Sequence, residues 1–161
     1  MAGGEREQLN NFLDFQRATV VWKSSDLTDE QSRHSLVPSE LTTVAGLLGH
    51  LRLVEEWWFG NVLDGRPDAW REILREDPDA EFRQAMRTPL SELIAAYEAQ
   101  CAISREIVAA RELTDEVPLP NDRRGRLVNV RWVLLHMIEE TARHAGHLDL
   151  IREMTDGLTG E

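Results

Sequence analysis

Three of the five histidines lie close together near the carboxyl end of the chain, with Glu140 between the first two. At about 100° per residue on a helix, these four side chains fall within a sector of about 80° that also contains apolar residues. The polar members of the sector are His136, Glu140, His144 and His147. Its apolar members are Trp132, Val133 and Ile151. Imidazoles and a carboxylate therefore project along the apolar, core-facing stripe of a helix.

This mixture of side chains predicts a metal site. Burying a carboxylate and two or three imidazoles is costly unless partners compensate, and a divalent cation suits this combination. Glu140 and His144 are four residues apart and can contact one ion from a single helical face. Because one helix supplies at most two or three ligands, we expect a third from another element, and His50 lies on the apolar face of the second predicted helix. Two imidazoles and one carboxylate are typical of an open catalytic zinc site or a facial triad.

The same residues also have simpler interpretations. A histidine on an apolar face is commonly a core residue hydrogen-bonded to backbone or carboxylate, and Glu140 could form a buried ion pair with an arginine. His136 precedes His144 by two turns and is predicted to lie outside the ligand set. His147 stays open as an alternative ligand, because it forms an i, i+3 pair with His144. His34 lies in a polar linker and is predicted to be solvated.

Composition restricts the class of protein. The chain of 161 residues and 18.4 kDa has the size of one domain, which we expect to span residues 1–161. A net charge of −11 argues against binding to nucleic acid. Cys101 is the only cysteine, which excludes an intrachain disulfide and a cysteine-rich zinc site, and its apolar neighbours predict a buried thiol rather than a nucleophile. Neither a signal-peptide pattern nor a membrane-length apolar run occurs, so we expect a cytoplasmic protein.

Apolar spacing near 3.6 residues predicts four long helices and an all-α fold. The predicted helices cover residues 5–23, from 39–43 to 62, from the cap Thr88 and Pro89 to 111, and from the cap Asn129 to 154. Thr28 and Gln31 have capping-box spacing, which predicts one short helical turn. A second short helix is expected at 81–86, and residues 118–125 are expected to form an exposed loop. The arrangement favours a four-helix bundle with long connections after the first and second helices.

Several segments together resemble the DinB/YfiT-like superfamily of metal-binding four-helix bundles, in particular its mostly actinobacterial branch. The resemblance covers nearly the whole chain. It is carried by LTDEQ at 27–31 with LVPS at 36–39, by GHL at 49–51 ahead of VEEWWF at 54–59, and by RWVLLHMIEETARHAGHLDL at 131–150.

The resemblance implies a divalent metal bound by a histidine of the second helix and by two residues four apart on the last helix. By position these are His50, Glu140 and His144. Many members have histidine where this chain has Glu140, whereas the mycothiol-dependent maleylpyruvate isomerase branch has glutamate. The metal therefore stays open among zinc, nickel, iron and manganese. The implied chemistry is that of a low-molecular-weight thiol S-transferase or isomerase, with mycothiol as cosubstrate, and homodimers are common among similar proteins.

Two further features could contribute to a substrate site. Trp57, near other aromatic residues, could form the wall of a pocket for an apolar electrophile, although aromatic residues at helical spacing are more often core residues. The cluster of Arg123, Arg124 and Arg126 could hold the carboxylates or sugar hydroxyls of a thiol cofactor, or be a solvated loop. Three hypotheses remain: a metal-dependent thiol transferase or isomerase, a metal-dependent hydrolase using the same site, and a bundle whose metal or polar cluster is structural or sensory.

Overall fold

Helices dominate the structure, a computed structural model that describes residues 3–160. The elements in chain order are α1 (Glu5–Ser24), α2 (Asp29–Arg33), α3 (Val44–Glu55) with a π-helical continuation (Glu56–Leu63), α4 (Arg71–Glu76), α5 (Ala80–Ala85), α6 (Leu90–Ala109), β1 (Glu116–Pro118), β2 (Leu127–Asn129) and α7 (Val130–Asp156). The predicted all-α bundle is confirmed, with α1, α3, α6 and α7 as its long helices. Within residues 3–160, no helix combines the length and apolarity needed to cross a bilayer.

The bundle consists of two tightly packed helix pairs. Helix α1 packs along α7, and α3 packs on α6, whereas α3 with α7 and α1 with α6 make far fewer contacts. The apolar core of the described residues has two parts. One part surrounds Leu48, Tyr97 and Leu148, and the other surrounds Phe59 and Met137. The looser seam between α3 and α7 is where the polar residues of α7 face the second long helix.

A buried ion pair joins α1 to α3 inside the bundle. The Nε and Nη2 groups of Arg17 donate to the two carboxylate oxygens of Glu55 at 2.8 and 2.7 Å. The side chain of Glu55 is fully buried, and the guanidinium also lies 5.6 Å from the ring centre of Phe59. Such a two-point pair fixes the relative position of both helices, because a buried charge that loses its partner is costly.

The observed helix ends confirm some of the predicted caps and show that one prediction is wrong. The capping box of Thr28 and Gln31 is present, and Asn129 caps α7 through the backbone N–H of Trp132. The prediction that Thr88 caps α6 is wrong, because the Thr88 hydroxyl donates to the carbonyl of Gln84 at the end of α5. An aspartate from α2 caps the first turn of α6 instead, because the N–H of Leu90 donates to Asp29 Oδ1 at 2.9 Å.

Other differences concern the connections and the second long helix. That helix begins at Val44 after the cap Thr43, at the upper end of the predicted range 39–43, and its last two turns are π-helical, which was not predicted. The short helix α4 was not predicted. The segment expected to be a loop includes part of a small antiparallel pair, in which Val117 lies opposite Val128. Three-residue strands are too short to show a period of two in the sequence. The connection after α6 is therefore long, in addition to the two long connections that were predicted.

Helix α5 lies against two glycines of α3. A Cβ atom added at Gly49 would lie 2.6 Å from the Cβ of Ala85 and 3.2 Å from the carbonyl oxygen of Glu81. One added at Gly46 would overlap the Leu41 carbonyl oxygen and lie 3.1 Å from the ring of Phe82. Glycine at these two positions therefore lets α5 approach the α3 backbone directly beside residue 50.

Replacing Gly49 by alanine is expected to destabilise the fold. The added methyl group overpacks the α3/α5 contact, which costs about 1–3 kcal/mol and outweighs the gain of about 1 kcal/mol in helix propensity. Gly146 of α7 is the matched control, because a Cβ there meets nothing within 4 Å. Gly146→Ala should stabilise by about 0.5–1 kcal/mol. Urea unfolding measures both changes, and equal stabilisation by the two substitutions would contradict the close docking of α5.

Candidate metal centre

Two imidazoles from different helices point at one carboxylate oxygen. His50 Nε2 on α3 lies 3.3 Å from Glu140 Oε1 on α7, and His144 Nε2 lies 3.3 Å from the same oxygen. The ring centres of the two histidines are 5.0 Å apart. One ligand atom from each of the three residues lies within 4.8 Å of the others, and the side chains are only 22%, 15% and 15% exposed. The predicted convergence of His50 with the pair on α7 is therefore present.

The two nitrogen–oxygen distances of 3.3 Å suit a small divalent ion. Ligand atoms at about 2.0–2.1 Å from a tetrahedral ion are separated by about 3.3–3.4 Å. Nitrogen and carboxylate oxygen are ligands that zinc and other first-row divalent metals accept. The partly buried position also favours binding of a cation. Without one, the ligand atoms of His50, Glu140 and His144 lie close together with limited access to water.

The electrostatics of the cluster favour the protonation states that bind metal. Burial raises the pKa of Glu140, but the hydrogen bond to His50 and the charges of His144, His50 and His136 outweigh it, so the pKa falls below its ordinary value. Burial, followed by repulsion from His50, lowers the pKa of His144 despite the opposing attraction of Glu140. A carboxylate and a neutral imidazole at neutral pH are the forms required of metal ligands.

The outer nitrogens of both histidines face further side chains. His144 Nδ1 lies 3.3 Å from Nδ1 of His147, an exposed residue on the next turn of α7. His50 Nδ1 lies 3.5 Å from Glu81 Oε1, and the ring of Phe82 stacks on the imidazole at 5.2 Å between centres. His147 thus contacts one member of the cluster from outside it. The contacts of Glu81 and Phe82 with His50 could not be predicted from the sequence, because no helical spacing relates α5 to α3.

The two remaining histidines lie outside the group of three. His136 stacks on Trp132 at 5.2 Å between ring centres and meets the edge of Trp58 at 4.7 Å. Its Nδ1 atom lies 3.6 Å from a carboxylate oxygen of Glu139. His34 is exposed at the end of α2. These positions agree with the interpretation of His136 as an outer or core residue and of His34 as solvated.

The candidate cofactor-binding residues lie toward the other end of the seam. Trp57 contacts Trp58 edge to face at 4.5 Å and lines a cleft of about 680 Å³ together with residues 117–121. Arg123 and Arg124 are exposed in the following loop, and Arg126 Nε pairs with Asp122 Oδ2 at 3.1 Å. This loop precedes α7, whereas Glu140 lies ten residues into it, which corresponds to about 15 Å along the axis.

A row of aromatic rings extends from this cleft toward the three ligand candidates. Trp57 contacts Trp58, which lies 5.1 Å from Trp132 and 4.7 Å from His136 between ring centres. His136 is one helical turn before Glu140 on α7. The aromatic contacts thus connect the cleft to His136, which lies one helical turn from Glu140.

Comparison with known proteins gives the fold independent support. A crystal structure titled as the conserved protein of locus from Enterococcus faecalis matches with a TM-score of 0.73 and 14% identity, and the match covers 98% of this chain and 100% of that one. At this identity the likeness shows the fold alone. No curated protein matches the chain significantly.

The family comparison covers almost the whole chain. The profile described as mycothiol-S-transferase, of the DinB/YfiT-like group, matches residues 8–157. This stretch includes α3, α5 and α7 and with them the cluster of His50, Glu140 and His144. The chain therefore belongs to the mycothiol-S-transferase family.

Proposed function

We propose that the protein is a divalent-metal-dependent S-transferase or isomerase that uses a low-molecular-weight thiol of the mycothiol type. The observation that carries this proposal is the convergence of His50, Glu140 and His144, whose ligand atoms lie within 4.8 Å of one another. Family membership supports the choice of thiol chemistry over the hydrolysis and the structural or sensory role that the same cluster would also allow.

In this proposal His50, Glu140 and His144 hold the ion and leave at least one coordination position for a small molecule. An ion held there would lower the pKa of a thiol bound to it, so that thiolate would be available near neutral pH. The protein contributes two neutral imidazoles and a single carboxylate, so the site retains positive charge that a thiolate can neutralise. The buried thiol of Cys101 does not compete for this role, because burial, with a contribution from Glu55, raises its pKa to about 12.

The rest of the thiol cofactor is proposed to extend along the aromatic row. The cleft at its end offers the Trp57 ring and the polar side chains of Asn61, Arg111 and Asn121. Such a combination suits a sugar, which presents hydroxyl groups at its edge and C–H groups on its face. Arg123, Arg124 and Arg126 follow the residues that line this cleft, and we propose that they contact the polar end of the cofactor. An apolar electrophile would then occupy the space beside the tryptophans.

Removing any one of the three proposed ligands should remove stoichiometric metal. His50→Ala, Glu140→Ala and His144→Ala are each expected to lower zinc affinity by more than about 100-fold, since loss of an outer partner alone costs about 10–100-fold. His147→Ala should retain metal with altered activity. The exposed His34 provides the matched control, and His34→Ala should bind like the wild type. Elemental analysis and competition with a chromophoric chelator measure these values. Metal retained by His144→Ala, or lost by His147→Ala alone, would contradict the ligand assignment.

The cobalt-substituted protein tests the thiol directly. Its visible absorption band should change when mycothiol or a close analogue is added, because a new sulfur ligand alters the ligand field. The S-methylated thiol, which cannot ionise, is the control and should cause no such change. A spectrum that ignores saturating thiol would contradict S-transfer. Turnover of esters or amides without thiol would then identify a hydrolase, and the absence of any turnover a structural or sensory site.

A further inference from the structure

Glu81 is a buried carboxylate that the proposed chemistry does not use. It lies on the short helix α5 and is 8% exposed. Within residues 3–160, its Oε1 atom approaches His50 Nδ1 at 3.5 Å, and its Oε2 atom is buried without a hydrogen-bond partner. The neighbouring Arg83 is engaged elsewhere, since it pairs with Asp77 and Asp79. Among residues 3–160 no arginine or lysine pairs with Glu81, and a buried carboxylate in this position destabilises a fold, so packing alone does not account for it.

We propose that Glu81 is a positioning residue that orients the His50 ring for metal binding, an inference that rests on the proposed metal site. A neutral imidazole carries one N–H and one lone pair. When its carboxylate is ionised it only accepts hydrogen bonds, so Glu81 then favours the form of His50 with hydrogen on Nδ1. Nε2, which hydrogen-bonds to Glu140 without a metal, is then the nitrogen left to offer its lone pair to an ion held beside Glu140.

Two other contacts hold the same ring. Phe82, the next residue of α5, stacks on the imidazole with only 12° between the ring planes. Gly49, the residue before His50, allows α5 to lie against the α3 backbone, so the carboxylate and the phenyl ring are presented together. The hydrogen bond to Glu81, the stacking of Phe82 and the docking of α5 thus restrain the position and tilt of the His50 ring and the nitrogen that carries its hydrogen.

The other histidine of the site is held differently. The outer nitrogen of His144 faces His147, which is an exposed imidazole, whereas that of His50 faces a buried carboxylate. A charged acceptor forms the stronger hydrogen bond. Glu81 should therefore affect metal affinity more than His147 does, and each should affect only its own histidine.

The test compares Glu81→Gln, Glu81→Leu, His147→Ala and Arg83→Ala. Zinc affinity should fall by about 10-fold in Glu81→Gln and toward 100-fold in Glu81→Leu, as expected for an outer carboxylate. Arg83→Ala, which changes an exposed residue of α5, should bind like the wild type. Glu81→Leu should leave the melting temperature of the chelator-treated protein equal or higher, because it removes a buried carboxylate whose Oε2 atom has no hydrogen-bond partner. A purely structural role predicts the reverse: lower stability and unchanged affinity.

Proton NMR of the cobalt-loaded protein provides the readout specific to orientation. Each coordinated histidine should give one exchangeable, hyperfine-shifted N–H signal. Glu81→Gln should speed the exchange of the His50 signal and Glu81→Leu should abolish or shift it, while the His144 signal stays. His147→Ala should affect only the His144 signal. Wild-type affinity and an unchanged His50 signal in Glu81→Leu would overturn the role of Glu81 alone, and a wild-type protein that binds no metal would overturn the metal site as well.

Discussion

The carboxylate of Glu140, placed between two imidazoles in a partly buried seam, is the constraint around which the molecule is arranged. One oxygen lies 3.3 Å from a nitrogen of His50 and 3.3 Å from a nitrogen of His144. Donors brought this close inside a protein need a cation or protons to balance them. The fold meets this requirement by keeping α3 and α7 less closely packed than the two helix pairs beside them.

The rest of the bundle keeps that seam in place. The buried pair of Arg17 and Glu55 ties α1 to α3, and α1 in turn packs along α7. Helix α3 is thereby held from one side through an ion pair and from the other through its packing on α6. Gly46 and Gly49 then admit α5, which brings a carboxylate and an aromatic ring onto His50. Thus the helices that form the core also determine where the polar side chains of the site meet.

The sequence is most informative where one helix carries the signal. Glu140 and His144 were predicted from their positions on a single face, and His50 from its place on an apolar stripe, and the three do converge. Glu81 was missed because it reaches His50 across 31 residues and a connection of irregular structure. The spacing within a helix predicts which residues share a face, but not which short helix of a connection lies against that face.

Local sequence patterns also gave wrong predictions where a tertiary contact replaced the expected local hydrogen bond. Thr88 has a residue type and a place in the sequence typical of a helix cap, yet its hydroxyl donates to the carbonyl of Gln84. The first turn of α6 is capped instead by Asp29, which is distant in sequence and accepts from the N–H of Leu90. The π-helical turns after Glu55 and the short β1/β2 pair leave no periodic pattern that distinguishes them from a helix and a loop. Helix faces and most caps were therefore predictable, whereas the contacts among the connections were not.

Anomalous X-ray scattering from crystals grown with zinc tests the central claim most directly. Data collected on both sides of the zinc absorption edge locate the metal without reference to any assumed ligand. The account predicts one strong peak at about 2.0–2.2 Å from His50 Nε2, Glu140 Oε1 and His144 Nε2. A peak bound by His144 and His147 without His50, or no peak in this seam at saturating zinc, would contradict it.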